Sequence, residues 1–392
     1  MNSVARMLHS IKELVKKSDP VLLGLCLVTT VFGIVLIASA TNFRPNSMRY
    51  VLVQGAAMCI GVVLYLIFAS IDVEHFSQKW WIFLLFNLGF IALLIPFGVV
   101  RNNSRAWLSF SWLPMDIQPA EIVKLTFTIL LAKQIAWFRD NRGMRGLESL
   151  MWPAAHTVMM FLWIYAISSD AGSGLVYLMI FSGMAFAAGL AWYWFAAGIG
   201  AAVAAVIAAV GLDLLPPYMI DRIWVLFDHS YKPQGVGWQQ TRSLMALGSG
   251  GIFGQGLFNG IQTQSSFKEN LPDRQTDFIF SVCGEELGMV GCLLIIALEF
   301  LLVWRCFQTA RVAKSSMGSL ICMGFGTMLV FQTVENIGMC LFVMPVIGLT
   351  LPFVSYGGSS IVTLYAAMGI VAGVRHHTLP DWLRKTYPPK TA

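Results

Sequence analysis

Long apolar runs alternate with short polar breaks along all 392 residues. A hydrocarbon core about 30 Å thick is crossed by about 20 helical residues. Runs of that length predict ten transmembrane helices, at about 20–40, 50–71, 80–99, 118–138, 152–169, 172–191, 193–215, 277–304, 317–344 and 358–374. Two polar interruptions are longer than a turn, one over about 100–117 and one over about 216–276. Loops of that length within a compact protein are usually functional. The expected organisation is an amphipathic cytoplasmic segment at 1–19, a ten-helix domain at 20–375 with a large extracellular loop at 216–276 between helices 7 and 8, and a cytoplasmic tail at 376–392.

Composition agrees with an all-α polytopic membrane protein. Apolar residues make up 57% of the chain, charged residues only 12%, and the mean hydropathy is +0.70; these values exclude an ordinary soluble domain. The net charge of +6 reflects topology and not nucleic-acid binding. Lys and Arg concentrate at Arg6 to Lys17, Arg139 to Arg145, Arg305 to Lys314 and beyond Arg375, which by the positive-inside rule places both termini in the cytoplasm. Met7, Leu8, Ile11, Leu14 and Val15 form an apolar stripe flanked by lysines, the pattern of a helix lying on a membrane surface. No small-residue cleavage site follows the first span, so that span is expected to be retained. The seven cysteines lie in or beside apolar runs without a CxxC or Cys/His spacing, and are read as small buried residues without disulfides.

Irregular and charged positions mark the candidate chemistry. Gly248-Ser249-Gly250-Gly251-Ile252-Phe253-Gly254-Gln255-Gly256 permits tight turns and close backbone approach, but it lacks the lysine of a nucleotide-binding loop. Pro345, Pro352 and Gly357-Gly358 break helix continuity between the last two spans, a break tolerated at that depth where protein or a wet cavity covers it. Ionisable residues inside spans are functional hypotheses by default. Glu121 and Lys124 share a helix face at i, i+3. Glu285 and Glu286 fall at a comparable depth, so a buried cluster joining the fourth and eighth helices is expected, either as a register-fixing ion pair or as part of the chemistry. Asp170 and Glu335 present the same choice. Asp277 stands where the long polar stretch enters the eighth span. With Thr276 as N-cap it would suit the positive end of a helix; as a carboxylate at a water boundary it would equally suit acid–base work.

Taken in order, several motifs resemble the SEDS family (shape, elongation, division and sporulation proteins). They are Arg105-x-Trp107, Gln118-Pro119-x-Glu121-x-x-Lys124-Leu125, Gly237-x-Gln239, the glycine cluster, Leu271-Pro272, Thr276-Asp277-Phe278-Ile279-Phe280, Gly284-Glu285-Glu286-Leu287-Gly288, and Leu351-Pro352-Phe353-Val354-Ser355-Tyr356-Gly357-Gly358-Ser359-Ser360. The resemblance runs from the first span to Arg375. It implies a peptidoglycan glycosyltransferase that polymerises lipid II at the outer face of the cytoplasmic membrane of a bacterium, ten transmembrane helices, and a class B penicillin-binding protein as partner. The family's essential aspartate matches Asp277. The short tail before the first span, without a long extension after the last, leans towards the RodA-like branch. Pro272-Asp273-Arg274-Gln275 departs from the family's frequent Pro-Glu-Ala-His, which argues against an imidazole beside Asp277.

The implied reaction joins a GlcNAc C4 hydroxyl to C1 of a lipid-pyrophosphate-linked MurNAc with inversion. A carboxylate must take the hydroxyl proton, and positive charge must meet the departing pyrophosphate. Asp277 is the expected base. Arg105, Lys124, Arg222, Arg242 and Lys268 form the pool for pyrophosphate contacts, with Trp107, Ser355 and Ser359 as further substrate-binding candidates; Glu121, Glu285, Glu286 and Asp170 are the buried charges. A divalent cation, Mg²⁺ or Mn²⁺, would serve the same neutralising role and could be held by Asp277. The rival functions are a lipid-linked-sugar flippase and a non-catalytic scaffold that recruits a penicillin-binding protein. The motifs group towards the outer face, whereas transporters bind near the midplane.

Overall fold

A computed structural model describes residues 19–376 except 102–103, 111–112, 114, 145, 213–216, 229–230, 232–234, 236 and 268–269. The predicted amphipathic segment and C-terminal tail therefore lie outside the described residues, as do Trp112 and Lys268. The helices are α1 (Pro20–Thr41), α2 (Ser47–Ser70), α3 (Val73–Phe76), α4 (Trp80–Ala92), α5 (Leu94–Phe97), α6 (Pro119–Asn141), α7 (Leu147–Ser168), α8 (Ala171–Ala187), α9 (Trp192–Gly211), α10 (Pro217–Phe227), α11 (Trp238–Gly250), α12 (Ile279–Val312), α13 (Ser316–Cys340) and α14 (Gly358–His376). An antiparallel hairpin, β1 (Gly98–Arg101) and β2 (Ser104–Leu108), follows α5.

Among the described residues, eight helical segments are long and apolar enough to cross a membrane. Two of the ten expected spans fall outside that group for visible reasons. Segment α6 carries Glu121, Lys124 and Lys133 within its length, and α8 has only 17 residues. The long polar stretch is not a bare loop, since it holds α10 and α11.

Local signals set the helix starts. Asp19 accepts from Leu22 N with Pro20 in the first turn of α1; Asp170 accepts from Ser173 N at 2.9 Å to start α8; Ser315 accepts from Gly318 N to start α13. Thr276 does not cap α12 as expected. The chain at 273–278 winds into turns whose Thr276, Asp277 and Phe278 amides all return to the Asp273 carbonyl, and Phe278 is the N-cap. Asp277 thus precedes the first helical turn instead of sitting inside it.

Apolar side chains gain little by leaving lipid for a helix interface, so association rests on close packing and small residues. Helix α14 is buried along nearly its whole length and packs on α2, where a methyl on Gly369 would meet the Tyr65 backbone at 2.6 Å. Helix α9, rich in Ala and Gly, has no buried residue. At one end of the bundle Asp19 receives Arg305 at 2.7 and 2.8 Å, with Arg375 at 3.5 Å, tying together the start of α1 and the ends of α12 and α14. The polar centre around Asp277 lies at the opposite end of α12.

Candidate active site

Two polar constructions occupy that opposite end. The first is the glycine cluster docked on the start of α12. A methyl on Gly250 would stand 1.9 Å from the Gly284 carbonyl oxygen, so two backbones touch where no side chain fits. Gly288 breaks α12 at φ +67°, and the freed amides of Met289 and Val290 bond the carbonyls of Gly251 and Ile252. Glu285 accepts from Gln262 N and Thr263 N at 2.8 Å each and from Thr263 Oγ1 at 2.6 Å. Glu286 accepts from Ser39 Oγ at 2.5 Å and Gln264 Nε2 at 2.8 Å. Arg274, 1% exposed, donates to the carbonyls of Gln262, Thr263 and Ser265 and stacks on Phe43. One buried anion and one buried cation thus hold the same loop from two sides.

This revises the expected cluster between the fourth and eighth helices. Lys124, 1% exposed, pairs with Glu121 of its own helix at 2.6 Å, while Glu285 and Glu286 serve the loop. Donors on the loop and Ser39 lie closer to the two glutamates than any cation, and each acid is satisfied locally.

The second construction surrounds Asp277. The crossing from α13 to α14 is pinned to residues 275–277 by a chain of bonds. Ser355 Oγ donates to Thr276 O at 2.6 Å and accepts from Leu351 N; Tyr356 N donates to Gln275 O. Gln54 of α2 grips the same crossing, donating to Ser355 O and accepting from Gly357 N. Asn336 Nδ2 donates to Asp277 O and Leu349 O, both at 2.8 Å. Gly348, at φ +75°, faces the aspartate, and a methyl there would lie 3.9 Å from Asp277 Oδ2. A methyl on Gly172 would be 2.4 Å from Ile347 O, which brings the start of α8 and its cap Asp170 against the same crossing.

The Asp277 side chain is half-buried. Burial first, and then the charges of Asp273 and Asp170, push its carboxyl up to about 7, while Thr276 and the positive charge of Arg222 pull the other way. Outside the membrane-spanning helix, Asp277 therefore titrates near neutrality, as a general base requires.

The other predicted site residues divide clearly. Arg222 and Asp170 lie within electrostatic reach of Asp277. Asp170 also accepts from Gln118 Nε2 at 3.2 Å and from Ser173 Oγ. Ser359 accepts from Gln118 N and Ser355 is buried in the clamp, so both hydroxyls are engaged in building the site. Arg105 is exposed on β2 and folds over Gly98 towards the Ile95 carbonyl, 3.5 Å away; Trp107 pairs with Val99 across the hairpin. Arg242 lies over the Trp238 ring at 4.2 Å with its Nε buried and unbonded. Sequence inspection did not single out Asn336 or Gln54. Their one signal is an amide side chain inside an apolar run.

The profile of the FtsW/RodA/SpoVE cell cycle proteins matches residues 20–379. The chain belongs to this family. It is 33% identical over 374 residues to stage V sporulation protein E of Bacillus subtilis, covering 93% of this chain and 99% of the relative. It is 31% identical over 363 residues to peptidoglycan glycosyltransferase MrdB of Escherichia coli K12, covering 92% and 94%. Among solved structures it resembles, with a TM-score of 0.78 and 29% identity over 93% of this chain and 99% of the other, a chain from work on structural coordination of polymerization and crosslinking by a peptidoglycan synthase complex. Similar identities to differently named members do not rank the branches, so the lean towards a RodA-like branch goes no further than the sequence argument. Membership makes this FtsW/RodA/SpoVE protein a multi-pass membrane protein, consistent with its apolar helices.

Proposed function

We propose that this FtsW/RodA/SpoVE protein is a peptidoglycan glycosyltransferase that polymerises lipid II at the outer face of the bacterial cytoplasmic membrane, with both termini in the cytoplasm. The observation that carries the assignment is Asp277: a half-buried carboxylate at the mouth of α12, held through its backbone by Asn336 and titrating near 7. A family relative named as a peptidoglycan glycosyltransferase, matched over nearly its full length, supports it.

In this reading Asp277 accepts the proton of the acceptor C4 hydroxyl as the new C4–O–C1 bond forms and the C1–O bond to pyrophosphate breaks. Attack opposite the leaving group inverts C1, so one carboxylate suffices. The pyrophosphate departs as a stable anion and needs neutralising charge instead of a proton. Arg222 is the predicted cation that lies within reach of Asp277. Lys124 is buried in an ion pair with Glu121 of its own helix.

Among the described residues no three His, Cys, Asp or Glu side chains gather into a metal cage. The alternative role for Asp277 is to hold a Mg²⁺-type ion, the kind commonly bound by one or two carboxylates together with substrate phosphates; the ion would then supply charge neutralisation, and Asp277 would not be the base. A class B penicillin-binding protein is the proposed partner, in keeping with a structural relative taken from a complex that couples polymerization and crosslinking.

The test is glycan-chain formation from purified lipid II by the detergent-solubilised protein, with and without its partner. Polymer from wild type and none from folded Asp277→Asn is expected. Equal polymer from both would remove Asp277 from the chemistry. No polymer from either would shift the weight to a flippase or scaffold.

A further inference from the structure

The short link between α1 and α2 brings a cation to the same end of the bundle as Asp277. Arg44, half-buried in that link, donates through Nη1 to Tyr50 Oη at 2.7 Å and through Nη2 to Gln275 Oε1 at 3.4 Å. Its guanidinium lies 5.3 Å from the centre of the Phe43 ring and 5.4 Å from that of Tyr50. Tyr50 meets Tyr356 edge to face at 5.0 Å, and Tyr356 N donates to Gln275 O at 2.9 Å. These contacts close into a ring of Arg44, Tyr50, Tyr356 and Gln275. Gln275 stands two residues before Asp277, in the stretch that Ser355 and Asn336 pin through the Thr276 and Asp277 carbonyls.

The acceptors of Arg44 are a phenol and an amide, both neutral. Among the described residues no carboxylate comes within ion-pair distance of it. A guanidinium carries five N–H donors, so two bonds leave part of its fork for a further acceptor. Arg274 stacks on the same Phe43 ring at 4.1 Å. Burial first, and then the charge of Arg44, hold the Arg274 guanidinium down at about 10. Arg274 is committed to the loop carbonyls, and two like charges against one ring repel each other. An anion at Arg44 would relieve that repulsion and take up the open donors. The planar fork of arginine matches paired phosphate oxygens, and its contacts with aromatic faces fix its orientation. A neutral sugar hydroxyl would make no use of the charge, whereas a diphosphate would.

We propose that Arg44 binds the diphosphate of the lipid-linked sugar, as a cation additional to Arg222, where the α1–α2 link meets the 275–277 stretch. The identity of the ligand rests on the polymerase reading, but binding can be measured without turnover.

The experiment titrates the purified full chain in detergent with undecaprenyl diphosphate and, in a parallel arm, with phosphatidylglycerol, reading the bound fraction by native mass spectrometry. Wild type should retain the diphosphate lipid, and Arg44→Gln should weaken that binding on the order of tenfold to a hundredfold. Arg44→Lys keeps the charge without the fork. It should recover part of the affinity, and it carries the comparison if the glutamine variant does not fold. Arg142→Gln, at an exposed arginine paired with Glu148, should leave binding unchanged. In turnover of lipid II, Arg44→Gln should raise KM more than it lowers kcat. Wild-type affinity in Arg44→Gln, or no retention of the diphosphate lipid by wild type, overturns the proposal. An Arg44→Lys chain as weak as Arg44→Gln overturns it too, because charge would then not be what binds. An equal loss of phosphatidylglycerol would make Arg44 a general contact to phospholipid headgroups, again overturning it. Polymer formation on the same samples fails independently: diphosphate lipid held by wild type and lost from Arg44→Gln, with no polymer from wild type, would sink the polymerase reading and leave the binding site standing.

Discussion

Within ten residues of one another, Asp277 and the pair Glu285–Glu286 meet opposite fates. Glu285 is saturated by three donors and Glu286 by two. Asp277 has one neighbouring hydroxyl, that of Thr276, which itself bonds the Asp273 carbonyl at 3.1 Å. Charged acceptors bonded by several N–H and O–H groups are stabilised where they stand and act as architecture. Acids held through their backbone, with their oxygens left open, remain available to a substrate or an ion. Residue type does not separate the two groups; the supply of donors around them does.

The comparison can be broken most directly by exchanging readouts. Asp277→Asn should lower polymerisation by about a hundredfold or more without lowering the thermal unfolding midpoint. Glu285→Ala should do the reverse in stability, leaving the Gln262 and Thr263 amides unbonded at a cost of about 3 kcal/mol. Limited proteolysis of 251–267 and a lowered midpoint would report it. If Glu285→Ala left both unchanged, the architectural reading of that acid would be wrong.

The next effect is pH dependence. A base with its carboxyl raised to about 7 is ionised above neutrality, so the polymerisation rate should fall about tenfold per unit on the acid side and level off above it. The linkage sign is opposite to that of a structural carboxylate. Between about pH 4 and 7 the folded chain keeps a proton that the unfolded chain releases, so this group's contribution to stability falls as pH rises through that window. A rate profile flat from pH 5 to 8 would exclude Asp277 as the titrating base.

Two smaller changes sharpen the picture of the crossing. Gly348→Ala forces an L-residue to φ +75°, costing about 1–2 kcal/mol. Because the glycine faces Asp277, kcat should drop more than binding, as single-turnover rates would reveal. Ser355→Ala loses the bonds to Thr276 O and Leu351 N, worth about 1–2 kcal/mol together. It should reduce kcat only several-fold, with little change in lipid II affinity; an unaltered rate would show that the clamp does not position Asp277.

Much of this architecture is legible in one dimension. Spans appear because a bilayer demands about 20 apolar residues per crossing, and helix starts at Pro20, Pro119 and Asp170 follow from short-range capping chemistry. The two helices that miss the length-and-hydropathy pattern, α6 and α8, still emerge from their flanks. Asp277 itself was visible as a carboxylate at a polar-to-apolar boundary inside a family motif. The same motif logic ranked Ser355 and Ser359 as substrate contacts, although both hydroxyls are engaged in the scaffold. Comparable depth along two helices likewise joined Lys124 to Glu285 and Glu286, whose donors come instead from the loop and Ser39.

The amino-acid sequence by itself determined the membrane class, the helix order, the family and the position of the boundary aspartate, because each depends on local hydrophobicity, local capping or ordered motifs. Only the tertiary structure decided which acids are satisfied and which are open. The donors that quiet Glu285 and Glu286 come from positions 22, 23 and 247 residues away, and the crossing that faces Asp277 is folded in from beyond α13. Hydrogen-bond partners at such distances follow from packing and are not written in spacing along the chain.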